Sequence, residues 1–167
     1  MTMNKLLLAE FNEEAKKTRT ALERVPVEKR DFAPHPKSMK LSRLASHVAE
    51  LGGFGLSVLT TPELDFSKGS YKPLAFESTD QLLKAFDEGS EKVRAALQNS
   101  TDESWEQNWK LSFQGKPIFN GPRFLAYRQM FLNHLVHHRA QLGVYLRLNE
   151  TAVPATYGPS ADDNLGF

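Results

Sequence analysis

Histidine spacing is the most chemically informative feature of this chain. His134 and His138 stand four apart within Asn133-His134-Leu135-Val136-His137-His138-Arg139-Ala140-Gln141-Leu142. On a helix that spacing stacks two imidazoles on one face, where they can share an ion. Phe131, Leu135, Leu142 and Tyr145 lie on the same face and should point inward. Buried imidazoles need partners, and one ion would satisfy both. His47 sits between Leu44 and Leu51 at core helical spacing, so it also points inward. Metal sites in bundles are built from inward side chains on facing helices. His47, His134 and His138 are therefore the expected ligands of a single ion, with ring nitrogens about 2.0–2.2 Å from it. Three histidines leave at least one position open to water or substrate, as in catalytic rather than structural sites. No other side chain on that face, Gln141 and Leu142 included, would replace a lost ligand. Imidazoles suit Zn, Ni, Fe or Cu, and availability decides among them. His137 is rotated off the stripe and is expected beside the site or at the surface. His35, between two prolines, should be exposed.

Competing chemistries lack their residues. A di-iron bundle needs Glu three positions before its histidines, but Phe131 and Leu44 stand there. A zinc-protease helix needs Glu directly after its first histidine, and that residue is Leu135. Glu50, one turn after His47, is the nearest carboxylate in sequence and reads as a solvated helix-face charge. Gly52-Gly53-Phe54-Gly55 has neither the spacing nor the preceding strand of a dinucleotide loop. With no cysteine, thiolate nucleophiles, disulfides and iron–sulfur ligation are excluded together.

Four helical stretches must position these histidines. The first, about 3–24, carries Leu7, Leu8, Phe11, Ala15, Thr18, Ala21 and Leu22 in one stripe, and Pro26 ends it. The second begins between 38 and 41 with Leu41, Leu44, Ala45, Val48 and Leu51, runs past its glycines, and stops at Thr60-Thr61-Pro62. Residues 62–77 read as a loop plugged by Phe66, Tyr71 and Phe76. Ser78 caps a third helix through Leu82, Phe86, Val93 and Leu97, which Asn99-Ser100-Thr101-Asp102 closes. Trp109, Leu111 and Phe113 then alternate with polar residues, and Gln114-Gly115-Lys116-Pro117 can turn the chain into a hairpin. A fourth helix is expected over about 122–149, followed by an extended tail from 154 to 167. This predicts an all-α four-helix bundle with a long crossover connection, occupying 1–167 as one domain.

Composition agrees. The 167 residues are 40% hydrophobic and 25% charged, enough for a sizeable core. Lys and Arg total 21 against 20 Asp and Glu, so the basic excess of a nucleic-acid-binding domain is missing and no nucleic acid is expected. Leu6-Leu7-Leu8-Ala9 is cut short by Glu10, too early for a secretory signal, and no run nears the roughly 20 residues that span a bilayer. The expectation is a cytoplasmic protein without a membrane partner.

Three blocks together resemble the DinB/YfiT-like superfamily. They are Pro36-Lys37-Ser38-Met39 leading into Leu44-Ala45-Ser46-His47-Val48-Ala49-Glu50, the 133–142 histidine block, and Val153-Pro154-Ala155-Thr156-Tyr157-Gly158-Pro159-Ser160-Ala161-Asp162-Asp163. Ala140 departs from a glycine common in such proteins and touches no ligand. The resemblance implies a four-helix bundle with one divalent metal ion (Zn, Ni, Fe or Mn) on His47, His134 and His138. It also implies a metal-dependent hydrolase or thiol-dependent transferase, acting on a small molecule and in the second case using a low-molecular-weight thiol. The alternative is a non-enzymatic metal-binding bundle with a stress-response or interaction role. A homodimer is expected too, through Leu6, Leu7, Leu8, Leu56, Val58 and Leu59 and a close approach at the glycine notch.

Overall fold

The computed structural model describes residues 2–69 and 71–164. Helix α1 (Met3–Glu23) buries Leu7, Phe11, Ala15, Thr18, Ala21 and Leu22, the stripe that its sequence predicts. A 3-10 turn at Val27–Lys29 follows, with Pro26 ahead of it. The strap that joins α1 to the next helix, residues 24–40, is tied to that helix by two backbone bonds, Leu41 N to Phe32 O at 2.8 Å and Ser42 N to Arg30 O at 2.9 Å. Helix α2 (Leu41–Thr60) passes its glycines unbroken. A short strand, β1 (Glu63–Asp65), lies in the stretch expected to be all loop. Helix α3 (Thr79–Gln98) opens on Ser78, whose hydroxyl accepts from the Gln81 N–H. The segment expected only to close α3 instead starts a new helix, α4 (Asp102–Glu106), through a reciprocal capping box between Thr101 and Ser104.

Strands β2 (Asn108–Phe113) and β3 (Lys116–Pro122) form the expected hairpin. Its turn places Gln114 at φ 51° and Gly115 at φ 76°, the two positive angles that match the twist of paired strands. β1 pairs in parallel with β2, with Leu64 opposite Leu111, giving a three-stranded sheet in the order β1-β2-β3. Three residues are too few for a periodic signal, and their partner strand lies beyond α3, so only the fold defines β1.

The last helical run also differs from the single α-helix expected. It comprises α5 (Arg123–Leu125), a π-helical stretch at Ala126–Leu132, and α6 (Asn133–Leu148), with helical backbone angles at both junctions. Tyr127, Phe131 and Leu132 are all buried. They are four and five residues apart, and the wider π turn lets all three face inward.

α3 packs against α1 and α2, and α6 packs against the same two helices. α1 and α2 are therefore diagonal, and the strap between them is the long crossover. The result is an all-α bundle with a long crossover and a small sheet. At its core are Phe11, Leu22, Leu44, Leu82, Leu97, Trp109, Leu135 and Leu142. No helix among the described residues is long and apolar enough to cross a membrane.

The tail from 154, described through 164, forms no helix or strand and is pinned to the bundle; 165–167 of the expected extended tail lie outside the described residues. Arg139, 3% exposed, pairs with Glu14 at 2.7 Å, and the Tyr157 hydroxyl donates to Glu14 at 2.7 Å. Burial raises the Glu14 pKa, but Tyr157 and Arg139 outweigh it and hold the carboxyl below its ordinary value.

The glycine notch is occupied from within the chain. A Cβ at Gly52 would lie 2.9 Å from the Gly89 carbonyl carbon on α3, and one at Gly55 would lie 2.7 Å from the Phe131 ring. Close helix approach at this notch is thus internal, and it no longer argues for a dimer. A Cβ at Gly53 would meet nothing within 4 Å. Gly52→Ala should therefore destabilise the fold by about 1–3 kcal/mol, since rigid backbone must move apart. Gly53→Ala should be neutral or stabilising, by up to about 1 kcal/mol, through helix propensity. Denaturant unfolding of both variants checks the pair; equal losses would contradict this packing.

Candidate metal centre

His47, His134 and His138 meet where α2 faces α6, as their spacing predicts. His134 Nε2 lies 3.3 Å from His47 Nε2 and 2.7 Å from His138 Nε2. One ring nitrogen from each lies within 4.8 Å of the others, a three-histidine cluster able to hold a metal ion. The three rings pack at 4.5–5.1 Å between centroids, with the His47 ring edge-on to the other two.

The opposite ring nitrogens explain why Nε2 faces inward. His134 Nδ1 is 3.2 Å from the Met130 carbonyl oxygen, which can only accept, so Nδ1 carries the proton. His138 Nδ1 is 2.7 Å from Gln141 Oε1, which sets the same tautomer. Two Nε2 lone pairs then face each other at 2.7 Å. That contact repels unless a cation or proton stands between them, so the donor set fits an ion held on Nε2.

Electrostatics favours neutral rings. Burial lowers the His47 pKa to about 4, helped by the neighbouring His138, His134 and the Arg43 guanidinium. Burial likewise pulls His134 and His138 below the ordinary imidazole value, against the opposing bonds to Met130 and Gln141. Neutral imidazoles are the form that binds metals.

A family description for DinB matches residues 1–164, nearly the whole chain. The chain belongs to the DinB family. Two solved DinB-like proteins share the fold. One, from Bacillus cereus, is 21% identical, with 93% of this chain and 98% of that chain covered at a TM-score of 0.69. The other, from Bacillus subtilis, is 18% identical, with coverages of 90% and 97% and a TM-score of 0.67. A search of curated proteins finds no match.

In this DinB protein a cavity of about 840 Å³ opens onto the cluster, with His47 and His134 in its wall. α2 and α3 form one side, while β1, β2 and β3 with the loop through Phe66 and Tyr71 form the other. A smaller cavity of about 390 Å³, between α6 and the tail, has none of the three histidines in its lining.

Two residues act differently from their sequence reading. Glu50 is half-buried, not a free surface charge. Its carboxylate accepts from the Tyr71 hydroxyl at 2.8 Å and the Leu74 N–H at 3.0 Å, while Ser46 donates to Leu74 O at 2.7 Å. α2 thus clamps the loop that covers the cavity. Gln141 is the second: one turn beyond His138, it orients that ring. Its position at i+3 was visible in the sequence. His137 flanks the cluster, its ring 4.8 Å from that of His138 and outside the converging set. His35 is exposed, as expected.

The depressed histidines set a pH dependence. Their folded pKa values lie below the unfolded value near 6.5, and that of His47 is about 4. Between those pH values the unfolded chain binds more protons, so this stability is present above about pH 6.5 and lost as pH falls. Melting temperatures of chelator-treated protein should drop steadily from pH 7 to pH 4.5, and less steeply for His47→Leu. A flat wild-type profile would contradict the buried, neutral cluster.

Proposed function

We propose that this DinB protein is a metal-dependent enzyme in which His47, His134 and His138 hold one divalent ion, Zn, Ni, Fe or Mn. The observation that carries this reading is the convergence of three Nε2 atoms on the wall of a cavity large enough for a small-molecule substrate. A divalent ion on three neutral donors keeps its positive charge and supplies Lewis acidity, which serves either hydrolysis or transfer to a low-molecular-weight thiol.

The chain's own residues do the rest. Met130 O and the Gln141 side chain hold the Nδ1 protons in place, so the donor atoms keep their direction. Glu50 is not an available general base, because both of its oxygens accept bonds from the covering loop. A metal held by His47, His134 and His138 would supply direct activation of the nucleophile, the route favoured where the histidine helix carries no side-chain base. Gly53, with open space where its Cβ would be, leaves the α2 wall of the cavity clear.

The same proposal places the protein in the cytoplasm as a homodimer. The support for assembly is Leu6, 49% exposed on α1, and the half-buried Leu56 on α2. Sedimentation at micromolar concentration should show two copies, and a strict monomer would remove this part.

The enzyme reading is tested by turnover of activated esters, and of alkylating substrates with thiol cosubstrates, each with and without chelator. Activity should vanish with chelator and return with added metal. Stoichiometric metal without turnover would favour a non-enzymatic metal-binding bundle. His138→Ala should lose the metal while unfolding cooperatively, because no other side chain on that face can replace the ligand. His137→Ala should keep it. Gln141→Leu should weaken metal affinity by roughly 10–100-fold, the usual cost of losing an orienting partner. Metal retained by His138→Ala and lost by His137→Ala would reverse the ligand assignment.

A further inference from the structure

Arg43 lies one helical turn before His47 on α2, and both line the same cavity. Its Nη1 is buried without a hydrogen-bond partner. Among the described residues it forms no ion pair within 4.0 Å. A guanidinium is always charged, and a desolvated, unpaired donor on it is costly. Its guanidinium carbon lies 5.8 Å from the Tyr71 ring centroid, and its charge also acts on the Tyr71 hydroxyl, His47 and His138. That contact orients the fork but does not neutralise it. Glu50, one turn past His47, turns its two oxygens to Tyr71 and Leu74 and not to Arg43. The other cations of the cavity, Lys68 and Lys92, are exposed and therefore solvated.

Much of the cavity wall is apolar. Phe54, Phe66, Leu111, Ile118 and Met130 face the same space. We propose that Arg43 recognises the carboxylate of a substrate whose apolar body fills the cavity, and so selects apolar carboxylates for the site. A planar guanidinium matches a planar carboxylate through two parallel N–H···O bonds. The buried Nη1 donor is left for one such oxygen. The inference rests on the metal-site reading only for where the reacting end of the substrate lies. Recognition of the carboxylate itself needs no ion.

The test is calorimetric binding of 4-phenylbutanoate and of 4-phenylbutan-1-ol to the full-length protein, metal-loaded and after chelation. The wild type should bind the carboxylate roughly ten-fold or more tighter than the alcohol, the usual advantage of a charge-assisted bond. Arg43→Met should erase that preference and leave alcohol binding unchanged, which also shows that the cavity is intact. Arg43→Lys should keep part of the preference. The preference should survive chelation. If it disappears with the metal, the carboxylate sits on the histidines and the role of Arg43 is overturned. Equal binding of the two probes to wild type would overturn it as well, whatever the variants do. A protein that binds no metal but keeps the Arg43-dependent preference would sink the enzyme reading alone.

Discussion

Everything at this site depends on how closely α2 can approach the helix that ends in α6. His47 and His134 are 87 residues apart in sequence, yet their Nε2 atoms lie 3.3 Å apart. Imidazole reaches only a short way from its backbone, so the two helices must nearly touch. Gly55 makes this possible, because the Phe131 ring occupies the space of the missing side chain. Gly52, one helical turn earlier, does the same against Gly89 on α3. The helix that carries His47 is thus wedged between two neighbours, each admitted by a glycine. Helix propensity is given up at both positions, by about 1 kcal/mol each, in exchange for geometry.

The charge pattern follows from the same closeness. Three imidazoles packed this closely, one buried and two half-buried, cannot all be charged side by side, and burial lowers each pKa. Their fixed Nδ1 partners, a carbonyl and an amide, are uncharged. The cluster therefore contains no anion, and a divalent cation held there would retain its full field toward the cavity. Sites that neutralise the ion with carboxylates or thiolates lose much of that field. The cavity holds carboxylates, but Glu50 is bound to the covering loop and Asp65 to Ser67.

Much of this was legible in the sequence because helices report their buried face through spacing. The pair His134 and His138, and His47 between Leu44 and Leu51, needed only that rule and the knowledge that facing helices share a core. What spacing does not report is partnership. Glu50 has the sequence signature of a surface charge, and only the loop folded over it shows otherwise. Gln141 lies on the histidine face, but polar residues there are read first as possible ligands and not as supports for one. Strand β1 has three residues and a partner beyond α3, so no local window contains its cause. The π-helical stretch is equally non-local. Ordinary α-helical periodicity fits its sequence, and the wider turn appears only because Tyr127, Phe131 and Leu132 must all be buried.

The rotation of α6 about its own axis remains to be fixed, since apolar packing alone tolerates slippage. Arg139 follows His138 directly and so projects about 100° around the helix from it. There it enters the bundle and meets Glu14 on α1, the Thr18 hydroxyl at 3.2 Å and the tail residue Tyr157 at 2.7 Å. Such a buried ion pair adds little net stability, because desolvation of both charges offsets their attraction. Its geometry is another matter. Leucines can slide past one another at small cost, but a buried guanidinium displaced from its carboxylate leaves two uncompensated charges. Turning α6 enough to carry His134 and His138 away from His47 on α2 would pull Arg139 out of this set. The polar clasp on one face of α6 therefore holds the histidine face in register. It also gives the tail a physical role: Tyr157 closes the clasp, so the C-terminal segment helps to aim a site on another face of the helix.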